Sequence, residues 1–262
     1  MINPFQYIYG PVYSWRLGRS LGVDPLSNKS KICNMDCIYC QLGRSALITN
    51  ERAEYVSTLE VVNEIKNIPL HFVDYITFSG RGEPTLALNL GDMIRAVKAV
   101  RKEKIAVITN GLLLRGKDVC RDLMEADFVL VKLDAGNQED FELVDGMEEN
   151  FASLIEGIKR FRRSYKGKIA LQVMLIDQNV DQMESIAQLA REIAPDEVQL
   201  NTPLRPSGAK PIDRSRMERA KKFFKDMTVV TVFDAPSQEY TPINEPATVS
   251  RHGNFRKTRS HI

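Results

Sequence analysis

Three of the four cysteines in the chain stand within eight positions, Cys33, Cys37 and Cys40 of the run KICNMDCIYC. Thiols this close together, with no disulfide framework around them, bind metal or do redox chemistry. Their spacing, C-x3-C-x2-C, is neither the C-x2-C pairing of a zinc ribbon nor the run of a bacterial ferredoxin, both of which close the metal site. On a 4Fe-4S cube, three thiolates would leave one iron without a protein ligand, and an open coordination position is what a catalytic metal site keeps for its substrate. Cys120 is the one cysteine left over. It falls in DVCRDLM, on an expected helix, and reads as a small buried hydrophobe; as a fourth ligand it would close the site.

The elements that must position these cysteines alternate along the chain. Apolar, β-branched runs at 73–78, 104–109, 128–133, 169–176 and 197–200, with a less apolar one at 20–24, read as buried strands. Segments with helical spacing lie between and after them, at 58–67, 90–102, 117–125, 150–165, 181–193 and 213–226, with Asn89 and Asp181 as expected N-caps and Thr58 as a weaker one. Such alternation predicts right-handed crossovers and a parallel sheet. In such folds chemistry gathers on the loops after the strands' carboxyl ends, and here those loops are unusual at nearly every strand: the cysteine run, SGRGEPTL, TNG, DAGNQED and NTPLRPSG. A site ringed by so many loops points to a barrel mouth. The expected fold is α/β, a partial TIM-type (β/α)6 barrel over residues 1–206. Residues 207–262 form a C-terminal extension, with a helix, one more strand at 229–233 and irregular chain beyond Pro236.

Composition narrows the classes. With 262 residues, 43% of them hydrophobic and 27% charged, the chain has the profile of a soluble globular protein, and its formal charge of +2 argues against a large phosphate footprint. No apolar run approaches the ~18 residues of a membrane span, and MINPFQYIYG lacks the features of a signal peptide, so the expected location is the cytoplasm.

With Tyr39 just before the last cysteine, the motif resembles the hallmark of the radical S-adenosylmethionine superfamily. The resemblance runs from about Tyr9 to about Pro206 and implies a 4Fe-4S cluster on Cys33, Cys37 and Cys40. It further implies S-adenosylmethionine chelated at the open iron and cleaved reductively to methionine and a 5'-deoxyadenosyl radical, which takes hydrogen from a substrate. FSGRGEPT (78–85) is similar to the family's Gly-Gly-Glu element, with Arg81 inserted between Gly80 and Gly82; the resemblance gives Gly80, Gly82 and Glu83 to the cofactor's methionyl amino group. Glycines allow close backbone approach and a carboxylate can hold an ammonium. VKLDA (131–135) resembles a segment that usually reads VSLDA, so Lys132, in the serine's place, and Asp134 fall on the ribose and carboxylate side, Lys132 with an expected charged contact to the cofactor carboxylate. Taken alone, Lys132 is also a snorkelling lysine and Asp134 a cap. Asn110 of TNG is a further candidate for the cofactor, although TNG is also good turn chemistry.

The stretch 9–24, YGPVYSWRLGRSLGVD, resembles a poorly characterised branch grouped with the wyosine-forming enzymes that act on guanosine in tRNA, although the second set of N-terminal cysteines those enzymes carry is missing here. Arg16, Arg19 and Arg205 are candidates for substrate anions, with solvated surface arginines as the alternative. The tail from Arg251 to His261, with four basic residues, reads as a solvated end or an arm for RNA phosphates. An external one-electron donor such as a flavodoxin or ferredoxin is implied. Substrate class stays open among RNA, peptide and metabolite, with RNA modification slightly favoured. The alternatives are an activase that places a glycyl radical on a partner protein, and a non-enzymatic iron-sulfur or zinc module in which Cys120 is a ligand.

Overall fold

The computed structural model describes residues 5–68, 73–234 and 241–252. β1 (Ile8–Ser14) and β2 (Gly18–Val23) form an antiparallel hairpin, and β3 (Ile32–Cys33) pairs with β4 (Leu47–Ile48) in a small ribbon of its own. Alternation then follows: α1 (Thr58–Lys66), β5 (Tyr75–Phe78), α2 (Leu90–Val100), β6 (Lys104–Thr109), α3 (Lys117–Leu123), β7 (Phe128–Lys132), α4 (Gln138–Asp145), α5 (Phe151–Ser164), β8 (Lys168–Met174), α6 (Met183–Ile193), β9 (Glu197–Asn201), α7 (Arg214–Lys221) and β10 (Val229–Thr231). A last helix, α8 (Glu245–His252), packs on β1.

The main sheet has the order β1-β2-β5-β6-β7-β8-β9-β10, parallel from β2 onward. β1 and β10 are its two edges, so the sheet curls without closing, and the expected partial barrel is the fold observed. Strand period two divides the side chains. Outward-facing Ile105, Val107, Val129, Val131, Ile169, Leu171 and Val173 pack beneath the helices in the large core. Facing inward, Ala106, Phe128, Leu130 and Ala170 meet Leu17, from the turn between β1 and β2, and plug the amino-terminal end of the lumen. This cluster narrows the lumen at the strands' amino ends, so that it reads as a cup whose mouth lies at their carboxyl ends.

Three differences from the sequence expectations matter. DAGNQED is not a plain loop: Asn137 caps α4 by accepting from Asp140 N at 2.9 Å, and Gly146 ends it in the left-handed region. Asp181 lies in a 3-10 turn rather than capping a helix, and α6 starts at Met183 after Gln182. Beyond Pro236 the chain is not irregular throughout, since Asn244 Oδ1 accepts from Ala247 N at 3.1 Å at the start of α8. The expected extra strand is present as β10, beside β9.

Candidate active site

The cysteine loop is fastened to the barrel from three sides. Against the loop after β5, Ile32 N donates to Arg81 O at 3.1 Å and Glu83 N donates to Ile32 O at 3.2 Å. Only glycine fits between them: Gly82 has φ +151, and a Cβ there would lie 1.6 Å from Ile32 O. Against the end of α4, Asp36 N donates to Asp145 O at 3.1 Å and Ile38 N to Val144 O at 3.0 Å, so two amides of the loop satisfy carbonyls that a helix end leaves open. From β6, Asn110 Nδ2 donates to Asn34 Oδ1 at 2.6 Å and lies 3.8 Å from Cys33 Sγ.

Glu83 is 2% exposed, and its carboxylate accepts four hydrogen bonds from its own chain. It accepts from Thr85 N (3.1 Å), Thr85 Oγ1 (2.7 Å), Thr109 Oγ1 (2.6 Å) and Asn110 N (2.8 Å), which ties the loop after β5 to the end of β6. Burial raises its pKa, and these four donors pull the other way. Arg81, the residue inserted in the glycine motif, turns away and donates to Lys29 O at 2.6 Å.

Lys132 projects from the end of β7 into a dense charge cluster. Its Nζ donates to Asp145 Oδ1, lies 3.4 Å from Asp134 Oδ2 and is 3.2 Å from Cys37 Sγ. Burial works against its charge, but Asp145, Cys37 and Asp134 outweigh burial and hold its pKa well above the lysine range. Asp145 is itself pushed up to about 7 by burial, with Lys132 opposing. Asp134 sits beneath the cavity floor, 1% exposed, where it accepts from Tyr39 Oη and from Met174 N at 2.6 Å, and burial raises its pKa. There it seats the Tyr39 ring and the end of β8.

Cys33, Cys37, Cys40, Tyr39, Gly80, Gly82, Glu83, Asn110, Lys132, Arg16 and Arg205 all line one cavity of about 300 Å³ at the mouth of the cup. Arg19 does not join them. It lies at the start of β2, at the opposite end of the strands, where it donates to Asp74 through Nη2 at 2.9 Å and Nε at 3.1 Å. Cys120 is on α3 in the helical layer, and its Sγ donates to Leu114 O at 3.2 Å. Arg251 turns inward: it is 9% exposed and pairs through Nε with the buried Asp24 Oδ2 at 2.7 Å, so this member of the basic tail is not a solvated end. The rest of the tail, 253–262, lies outside the described residues.

The sequence reading missed Lys31, Asp145, Gln172 and Asn201. Lys31 is buried, donates to Gly43 O at 3.0 Å, and has its pKa raised by Cys40, Cys33 and Cys37 against the pull of burial. Asp145 was findable as the last residue of a helix with an Asn cap and a terminal glycine. Gln172 and Asn201 were findable as polar residues inside the apolar runs IALQVMLI and EVQLN.

The donor set suits an iron-sulfur cluster. All three cysteines are free thiols facing the cavity, and thiolates are the ligands such clusters take. Burial, ahead of other causes, pushes Cys33 up to about 11 and Cys37 to about 12, so a metal must displace their protons to bind. Among the described residues no group of three or more His, Cys, Asp or Glu is gathered tightly enough for a single ion. A cube takes each thiolate on a different iron, so its ligands stand farther apart than those of one ion.

The sequence profile of the Radical SAM superfamily matches residues 27–190. The chain belongs to the radical SAM superfamily. It is 36% identical to a UPF0026 protein of Synechocystis sp. over 221 residues, covering 82% of this chain and 80% of that one. It is 38% identical over 240 residues to a protein of Brachyspira hyodysenteriae named GTPase Obg, covering 88% of this chain but only 35% of that one, so the chain spans about a third of this relative's length. Among solved structures, TYW1 with a lysine-pyruvate adduct bound superposes with a TM-score of 0.62 at 17% identity, over 80% of this chain and 74% of that one, which shows a shared fold. Family membership makes this radical SAM protein an enzyme of that class and supports S-adenosylmethionine as its cofactor. No helix among the described residues is long and apolar enough to cross a membrane.

Proposed function

We propose that this radical SAM enzyme holds a 4Fe-4S cluster on Cys33, Cys37 and Cys40 and generates a radical that abstracts hydrogen from a small substrate in the cup. The observation that carries this is the convergence of the three cysteines with the loops after β5, β6 and β7 on one cavity. When bound and reduced, the cluster supplies the electron that splits the sulfonium of S-adenosylmethionine.

The chain's own residues arrange and insulate. Lys31 and Lys132 place positive charge beside thiols that carry negative charge when ligated. Gly80 and Gly82 offer backbone without side chains to the cofactor's methionyl end. Glu83 acts beneath them as a brace that fixes Asn110 and the β5 loop through the hydrogen bonds it accepts. Tyr39, seated on Asp134, walls one side, and the apolar cluster around Leu17 fills the base of the cup. The electron comes from an external donor of the flavodoxin or ferredoxin class.

The test is anaerobic reconstitution with iron and sulfide, reduction with dithionite, and addition of S-adenosylmethionine. 5'-Deoxyadenosine forms with the wild-type chain and with Cys120→Ala, and does not form with Cys37→Ala. A reducible cluster that yields no product, or one that depends on Cys120, overturns the reading in favour of a closed metal site.

A further inference from the structure

The segment VKLDA puts Lys132 where a contact with the cofactor's carboxylate is expected, but the fold gives its ammonium other partners. Nζ donates to Asp145 Oδ1, to Cys37 Sγ at 3.2 Å and to Met35 Sδ at 3.6 Å, one bond from each N–H of the ammonium. Asp134 Oδ2 lies 3.4 Å away, and the Tyr39 ring centroid 5.4 Å away. The stem is held as firmly, because β7 is an interior strand paired with β6 on one side and β8 on the other.

Asp145 and Asp134 supply the opposite charge that a buried ammonium requires. The contact with Cys37 Sγ is additional to that pairing. It is also fixed from both ends, since Asp145 aims the ammonium through its carboxylate and, through its carbonyl, holds Asp36 N of the loop that carries Cys37. Cys33 Sγ, by comparison, has the neutral amide of Asn110 at 3.8 Å. A thiolate on iron carries negative charge that grows when the cluster takes up an electron. Hydrogen bonds to cluster sulfurs therefore favour the reduced form and are among the levers that set its potential. A charged donor acts more strongly than a neutral one.

We propose that Lys132 is a positioning residue that acts through Cys37: its ammonium donates to the Cys37 thiolate and raises the reduction potential of the cluster, which eases reduction by the external one-electron donor. In this couple the oxidised cluster gains one electron, the donor loses one, no covalent bond forms or breaks, and the Lys132 proton stays on nitrogen. The inference rests on the cluster proposed above for Cys33, Cys37 and Cys40, and its readout is a potential, measured without S-adenosylmethionine.

The full-length wild type, Lys132→Met, Asp145→Asn and Lys132→Met/Asp145→Asn are reconstituted anaerobically with iron and sulfide. The electron paramagnetic resonance signal of the reduced cluster is then followed against potential, with dithionite as the reductant. Lys132→Met should lower the midpoint by at least about 59 mV, a tenfold change in a one-electron equilibrium. The double variant removes one charge of each sign and leaves no carboxylate at position 145 without its cation. It should show the same fall, because the N–H to sulfur is gone in both. Asp145→Asn keeps the ammonium, and its midpoint should not fall.

S-Adenosylmethionine binding is measured on the same four proteins by equilibrium titration. An unmoved midpoint in Lys132→Met, with that binding weakened about tenfold or more, assigns Lys132 to the cofactor's carboxylate and overturns the proposal. An equal fall in Asp145→Asn and Lys132→Met reports a disturbed loop and also overturns it. So does failure of both Lys132 variants to assemble a cluster that the wild type holds, since Lys132 is then an assembly residue. If the wild type itself takes up no reducible cluster, the cluster reading fails and this inference with it; unchanged midpoints alongside normal 5'-deoxyadenosine formation sink this inference alone.

Discussion

Replacing Gly82 by alanine tests how the cysteine loop is held. Gly82 has φ +151, and the added Cβ would sit 1.6 Å from Ile32 O, the carbonyl that precedes Cys33. That conformation costs a residue other than glycine roughly 1–3 kcal/mol. The overlap is with backbone, so no rotamer relieves it, and the two strands must part. Parting them breaks the hydrogen bonds Ile32 N to Arg81 O and Glu83 N to Ile32 O, at about 1 kcal/mol each. The expected loss is roughly 3–5 kcal/mol in total. Gly43→Ala is the control. Gly43 lies in the same loop with φ +72, and a methyl added to it would meet nothing within 4 Å, so only the backbone term of about 1–2 kcal/mol applies.

The assay is urea unfolding of the cluster-free chain, comparing midpoints at constant slope. Gly82→Ala should lose at least about twice what Gly43→Ala loses. It should also fail to bind S-adenosylmethionine after reconstitution, because Cys33 and the β5 loop no longer share a register. If the two variants cost the same, the register between Ile32 and Gly82 does not hold the loop, and the glycine motif is not what fastens Cys33 to the barrel.

Other expectations follow from the same contacts. Arg251→Met leaves Asp24, fully buried, without its cation and should cost roughly 3–5 kcal/mol in thermal or urea unfolding, with Asp24→Asn added to it recovering much of that. Glu83→Gln presents an amide donor where a carboxylate accepted, and should cost about 1–3 kcal/mol and weaken cofactor binding in an equilibrium titration. Arg19→Met should cost at most about 1 kcal/mol, because its pair with Asp74 is 34% and 43% exposed, and should leave 5'-deoxyadenosine formation unchanged. Arg19 holds the Asp74 carboxyl below its usual range, so that small contribution is present above the unfolded pKa of about 3.9 and fades as pH falls through the lower folded value; a pH series on both chains checks the sign.

The strands were legible because a parallel sheet buries both faces, and runs such as FVLVK read as continuous apolar segments. The cysteines, the glycine motif and Lys132 were legible by type and spacing, and the fold brings them to one cavity. Arg19 was misplaced because β2 runs toward the mouth, so a residue at its start lies at the far end however near Arg16 it stands in sequence. Arg16 reaches the lumen because it sits in the turn that plugs it. β1 was not read as a strand at all: its pairing is set by the hairpin and by α8, whose Thr248 Oγ1 accepts from Gly10 N at 2.8 Å across most of the chain's length. Contacts of that range leave no periodic trace.

Asp145 shows why the cysteine motif is not sufficient by itself. Its carbonyl accepts from Asp36 N and so sets the backbone of the loop between Cys33 and Cys37. Its carboxylate accepts from Lys132, whose Nζ is 3.2 Å from Cys37 Sγ, and so sets the charge beside that thiol. One buried residue at the end of α4 thus couples the position of the loop to the electrostatics of its central cysteine. An unpaired ammonium or carboxylate here would be expensive at this depth, whereas the chain Asp145–Lys132–Asp134–Tyr39 leaves each charge faced by another polar group. The loop's shape is therefore an outcome of residues about a hundred positions away in the sequence, and the thiols are held in place by a polar chain of which Asp134 and Asp145 lie behind the cavity wall while Lys132 and Tyr39 line it.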